Sequence, residues 1–103
     1  MDKIYTLRYL PLFYEDLEKN FNYIKNDLSN PQAAFELIDE TEKAILKRLN
    51  NPESFEPIQS KKERKHKYYK IRVKNFCVLY VVIGDVMEVR RFVYSRRDIY
   101  NLI

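Results

Sequence analysis

Residues 68–94, YYKIRVKNFCVLYVVIGDVMEVRRFVY, decide the fold. The first six alternate strictly from Tyr69, with Tyr69, Ile71 and Val73 apolar and Lys70, Arg72 and the following Lys74 basic. A period of two is that of a strand with one covered face. Phe76–Ile83 is apolar throughout, as a strand covered on both faces would be, and Val86–Tyr94 is again mixed. Only Lys74-Asn75 and Gly84-Asp85 separate the three runs. Two-residue loops holding Asn or Gly, which tolerate positive φ, make hairpins. The reading is an antiparallel meander of strands Tyr68–Val73, Phe76–Ile83 and Val86–Tyr94.

Tight loops also predict a register. It pairs Ile83 with Val86, Leu79 with Arg90 and Cys77 with Phe92. Across the other loop it pairs Val73 with Phe76, Arg72 with Cys77 and Lys70 with Leu79. Directly paired residues share a face. One face then holds Tyr69, Ile71, Val73, Val78, Tyr80, Met87, Val89 and Val93, the expected core. The other sets Lys70, Arg72 and Arg90 around an apolar floor of Cys77, Leu79 and Phe92. Arg91 falls on the core face, which calls for a β-bulge or a place at the sheet rim.

Upstream, Ile4–Leu10 reads as a short strand, with Ile4 or Tyr5 pointing inward. Pro11 opens a helix whose stripe is Phe13, Leu17, Phe21, Ile24 and Leu28, at spacings of three and four. Asn30 is the expected N-cap of a second helix, with Pro31 at its first position. Its stripe is Ala34, Leu37, Ile38, Thr41, Ile45 and Leu49, and Asn50–Pro52 ends it. So short a break between two helices predicts an antiparallel hairpin lying on the core face of the sheet. The fold class is α+β in one domain, since 103 residues bury one core and not two.

Charge is unevenly placed along this chain. Residues 1–59 hold 7 Lys and Arg against 11 Asp and Glu, net −4, and residues 60–103 hold 12 against 4, net +8. An acidic front half masks a strongly basic back half, which suits a polyanionic partner. One His and one Cys exclude a Cys/His zinc site, and there is no glycine-rich nucleotide fingerprint, so neither metal nor cofactor is expected. The longest apolar run, Phe76–Ile83, is far short of a membrane span. With no secretory signal pattern and an unpaired Cys77, the expected compartment is the cytoplasm.

The order of a strand, a helix hairpin with NPQAA at residues 30–34, then YYKIRVKNFCVLYVV and VRRFVYSRRDIY, resembles the RelE/ParE superfamily of type II toxin–antitoxin toxins. The resemblance covers nearly the whole chain. It implies a helical hairpin packed on an antiparallel sheet and, as partner, a small antitoxin whose extended or helical segment wraps the toxin; the +8 half-chain charge beside the apolar floor predicts that this segment is acidic and covers the basic sheet face. RelE-like members cleave mRNA on the ribosome without a metal, the RNA 2′-hydroxyl attacking the neighbouring phosphate. ParE-like members instead poison DNA gyrase and lack an active site.

The nuclease pattern maps onto Lys70 and Arg72, which match its two lysines, and onto Arg96 or Arg97 and Tyr100, which match its terminal Arg and Tyr. On that reading Lys70 and Arg72 stabilise the phosphorane and the leaving oxygen. Arg90, Arg96 and Arg97 hold phosphate, and Tyr100 is the base, which needs cations around it. The run of Lys61, Lys62, Arg64, Lys65 and Lys67 clamps nucleic acid. Cys77 stands where the family's third-strand arginine is usual, and a thiol does not hold a phosphate as a guanidinium does. Ribosome-dependent mRNA cleavage is therefore the leading expectation. Gyrase poisoning, which NPQAA and the long hairpin resemble, is the alternative, and a degenerate toxin kept for antitoxin and operator binding is a third.

Overall fold

A computed structural model of the chain describes residues 3–59, 65–97, 99, 102 and 103. The order is β1 (Thr6–Tyr9), α1 (Pro11–Asn22), a π-helical turn (Tyr23–Asp27), α2 (Pro31–Arg48), β2 (Tyr68–Val73), β3 (Phe76–Ile83) and β4 (Val86–Tyr94). The last three strands have the bounds read from their alternation, and both helices pack on one face of the sheet. Proline opens each helix, and the Asn30 side chain accepts the Ala33 N–H as the expected cap.

Several details differ from the sequence reading. The sheet order is β1-β4-β3-β2, with β1 parallel to β4, so the sheet is mixed. β1 is shorter than Ile4–Leu10, and of the two residues offered as pointing inward Ile4 is 84% exposed while Tyr5 is half-buried. α1 gives way at Tyr23 to the π-helical turn, whose extra residue per turn rotates the stripe. Leu28 therefore faces solvent, although its spacing placed it in the core. In the two hairpin loops the positive φ belongs to Lys74 and Gly84, not to Asn75.

The largest difference is in register. β3 and β4 pair as expected from Ile83↔Val86 to Tyr80↔Val89, then slip. Leu79 faces Arg91 and Cys77 faces Val93, which leaves Arg90 as the extra residue of a bulge. The slip exchanges the faces of Phe92 and Val93. Phe92 enters the core, stacked on Phe76 at 4.9 Å and edge-on to Phe13. Val93 joins Cys77 and Leu79 on the opposite face.

The physical reason lies in α1. β1 pairs with β4 only as far as Val89, so the edge of β4 beyond it has no strand partner. The Asp16 carboxylate supplies one, accepting the Phe92 N–H at 3.1 Å and the Arg91 guanidinium at 2.7 Å. The ion pair draws Arg91 toward the helix and raises its pKa, against the effect of burial. The bulge thus lets a cation reach the rim while an aromatic ring fills the core.

The core joins Phe13, Leu37 and Ile45 of the hairpin to Tyr69, Ile71, Val78, Tyr80, Met87, Val89 and Phe92 of the sheet. Arg48 closes one end. It donates to the Tyr80 hydroxyl and to the Lys70 carbonyl, and lies 3.5 Å from the Phe55 ring centroid. The Tyr80 hydroxyl in turn donates to the Pro52 carbonyl, which fastens the segment after α2 to the sheet. Among the described residues no helix is long and apolar enough to cross a membrane.

Candidate functional site

The expected site lies on the sheet face away from the hairpin. Lys70 and Arg72 stand there on β2, both exposed, and the Arg72 Nε donates to the Lys74 carbonyl. Arg96 and Arg97 follow β4 and are exposed as well. A backbone bond from the Ser95 N–H to the Asn75 carbonyl, 2.8 Å, ties the turn after β4 to the β2–β3 loop. Arg72, Arg96 and Arg97 therefore gather at one end of the sheet, with Lys70 one step along β2. Among the described residues no carboxylate lies within ion-pair distance of these four. Lys74 belongs to the other side, drawn toward Glu36 and Glu40 of α2.

Arg90 does not join that group. Its Nε donates to Glu88 at 2.7 Å and one terminal nitrogen donates to the Tyr68 hydroxyl at 2.7 Å. Glu88 also receives Arg8 from β1. The carboxylate is only 7% exposed, held between two guanidinium groups. Burial alone would raise its pKa, but hydrogen bonds and charge from Arg8 and Arg90 lower it overall. The place expected for Arg90, on a phosphate, is thus taken by Glu88 and Tyr68, and neither Glu88, Arg8 nor Asp16 is among the site residues expected from the sequence. The available signal is an acidic residue between the apolar Met87 and Val89, which requires a cationic partner when buried.

This network predicts a pH dependence. Because the folded pKa of Glu88 is depressed, its contribution is full above the unfolded carboxylate value, about 4.3, and is lost as pH falls through the lower folded value. Glu88→Gln is expected to destabilise the protein at neutral pH by about 2 kcal/mol, the scale of hydrogen bonds to charged groups. The loss should narrow below about pH 4, as the wild-type carboxyl also becomes neutral. Urea unfolding of both proteins between pH 7 and 3 checks this. A difference that stays constant across the range would count against it.

The apolar floor is closed. Cys77, Leu79 and Val93 are buried under Ile99, with Leu102, Ile103, Ile58 and Tyr68 packed around them. The floor expected to receive a partner's segment is filled instead by Ile99, Leu102 and Ile103 of this chain. Phe92 is not part of it. Burial raises the Cys77 thiol pKa, an effect that Lys70 and Arg72 only partly oppose.

Of the basic run, Lys65 and Lys67 are exposed just before β2. Lys61, Lys62, Arg64 and the proposed base Tyr100 lie outside the described residues. The described arrangement offers four exposed cations toward one end of the sheet, beside a floor that is filled. That is a surface for gripping an anionic partner. Among the described residues no group of three His, Cys, Asp or Glu is placed to hold a metal ion.

The comparisons agree with this architecture. The family model described as ParE toxin of type II toxin–antitoxin system, parDE, matches residues 7–99. No curated protein matches the chain. Among solved structures, the chain is similar to one from the chromosomal ParDE toxin–antitoxin system of P. aeruginosa. The TM-score is 0.68 at 14% identity, over 90% of this chain and 98% of that one. It is also similar to one from the RelB–RelE antitoxin–toxin complex of Methanococcus jannaschii. There the TM-score is 0.50 at 22% identity, over 93% of this chain and 98% of that one. At these identities the two structures speak for the fold.

Proposed function

We propose that this chain, which belongs to the ParE toxin family of type II toxin–antitoxin systems, arrests growth by binding DNA gyrase rather than by cutting mRNA. The observation that carries the reading is the occupied floor. A nuclease of the kind expected needs its scissile phosphate seated between the cations. Here Ile99 lies on Cys77 and Leu79, and Arg90, the one strand cation able to replace the arginine missing at Cys77, is held by Glu88 and Tyr68.

What remains exposed is a cationic edge of Lys70, Arg72, Arg96 and Arg97. It fits the acidic surface of a protein–DNA complex and works through affinity, with no chemistry of its own. The partner that restrains the toxin is an antitoxin, in keeping with the family and with both similar structures coming from toxin–antitoxin systems.

Messenger RNA cleavage on the ribosome is the second reading. In its favour stand Lys70 and Arg72, both exposed, two residues apart on one face of a rigid strand. The two are separated by inducing the toxin and assaying the same culture twice. Covalently trapped gyrase–DNA complexes are expected, with reporter mRNA intact by primer extension. Codon-linked mRNA ends without trapped gyrase would overturn the gyrase reading.

A further inference from the structure

A cavity of about 520 Å³ opens on the hairpin side of the sheet, at the end where Arg72, Arg96 and Arg97 gather. One wall is made by Phe76 and Tyr94, paired across β3 and β4 with ring centroids 5.7 Å apart. The facing wall comes from Asn20 of α1 and from the π-helical turn, with Tyr23, Ile24 and Leu28 beside it. The wider coil of that turn swings Leu28 outward, and the chain leaves through Ser29 in the left-handed conformation, φ 51°. Irregular turns of this kind concentrate at functional sites. Tyr23, Leu28 and Tyr94 are 44–55% exposed, so the cavity presents open apolar faces and not a sealed void.

Open rings next to guanidinium groups suit a nucleic-acid strand, because aromatic faces stack bases while cations hold the backbone. A tight turn brings the cations to the cavity: the Arg97 N–H bonds the Tyr94 carbonyl at 3.0 Å, with Arg96 inside the turn. The Arg72 guanidinium is anchored on the Lys74 carbonyl, next to Asn75 at the cavity. The polar atoms fit a base as well. The Asn20 amide nitrogen donates to the Asp16 carbonyl at 2.9 Å, which leaves its oxygen to accept, and Asn75 offers both a donor and an acceptor. An apolar side chain would leave both amides unanswered, whereas a base edge carries donors and acceptors. A base inside a duplex has its faces covered by its neighbours, so the base that enters must be unpaired.

We propose that this cavity receives an unpaired base of a DNA strand, stacked on Tyr23 and Tyr94, with the phosphates beside that base held by Arg72, Arg96 and Arg97. The choice of DNA rests on the gyrase reading above, which puts DNA against the cationic edge. The cavity itself is independent of that reading. It is also separate from the filled floor, since Phe76 packs with the core on the hairpin side while Cys77 and Val93 lie under Ile99 on the other. A strand crossing the end of the sheet therefore reaches the cavity without displacing Ile99.

The test uses fluorescein-labelled oligothymidylate, with an abasic deoxyribose-phosphate strand of the same length and charge as control. Binding to the purified toxin is followed by anisotropy, and the methyl resonances of Ile24 and Leu28 by NMR. The base-bearing strand is expected to bind at least about tenfold more tightly, the scale of one stacked base, and to shift both methyls saturably. Tyr23→Ala, at an exposed position, should remove most of that preference and leave the affinity for the abasic strand unchanged. Tyr23→Phe, which keeps the ring, should retain it, and Arg96→Ala should weaken both strands alike. Equal binding of the two strands, unmoved methyls, a preference that survives Tyr23→Ala, or one lost in Tyr23→Phe would overturn the site. Tighter binding of oligouridylate than of oligothymidylate would overturn DNA as the source. These measurements need no gyrase, so they stand apart from the gyrase reading. With gyrase and DNA present, Tyr23→Ala is expected to need about tenfold more toxin for half-maximal trapping. Unchanged trapping would detach the cavity from the DNA that gyrase holds. No trapping by the wild type, with oligothymidylate still bound, would overturn the gyrase reading and leave the cavity's ligand in place.

Discussion

Lys70→Ala and Arg72→Ala together are expected to give a folded, soluble protein that no longer arrests growth. Both side chains are exposed on the face away from the core, so their truncation opens no cavity. Surface changes of this kind usually alter stability by less than about 0.5 kcal/mol. Function should respond far more. Cations that anchor an interface cost about 2 kcal/mol or more each when removed, and contacts within one patch do not simply add. On the gyrase reading, affinity for gyrase is expected to fall about a hundredfold to a thousandfold, most steeply at low salt, where screening is least. The measurement is trapping of gyrase–DNA complexes by purified wild-type and double-variant proteins at two salt concentrations. Full trapping by the double variant would remove these residues from the site. Loss of mRNA cleavage by the same variant would move the assignment to the nuclease reading.

Ile99→Asp is expected to uncover Cys77 without unfolding the domain. Ile99 is 6% exposed and lies on Cys77, Leu79 and Val93. Its burial contributes about 1.5–3 kcal/mol, and a carboxylate will not stay in that place unpaired. Releasing the segment that carries it relieves the conflict at less cost than opening the core, so the opening should be local. Labelling of Cys77 by a thiol reagent under native conditions should then accelerate about tenfold to a hundredfold. Exposure also removes the burial that raises the thiol pKa, which acts in the same direction. Unchanged labelling would mean that Ile99 does not cover the thiol. Acceleration matched by an equal loss of global stability in urea would mean that the whole domain, not this segment, opens.

Much of the architecture was legible because it rests on local rules. Strict alternation from Tyr69 to Lys74, an apolar run through β3 and two-residue loops leave a meander as the consistent arrangement. Pro31 behind the Asn30 cap marks the start of α2 as clearly in sequence as in space. The cationic character of Lys70 and Arg72 was legible for the same reason. In a strand with one buried face, the odd and even positions separate by period alone, and both residues are exposed as that separation requires.

What the chain's own order could not reveal depends on partners far away in sequence. The slip that carries Phe92 inward is held by Asp16, 76 residues distant, and β-pairing rules contain no information about a carboxylate on a helix. Arg90 read as free because its Glu88 partner sits two residues away on the same strand, while Arg8 and Tyr68 arrive from two other strands. The floor looked open because alternation says which face a residue occupies and nothing about what lies above it. Ile99 settles there by packing, a long-range contact with no periodic signature. Local pattern therefore accounts for β2, β3 and β4, for the starts of both helices and for the charge of Lys70 and Arg72. Which cations stay free is settled by long-range folding, because Glu88 claims Arg8 and Arg90 and Asp16 claims Arg91.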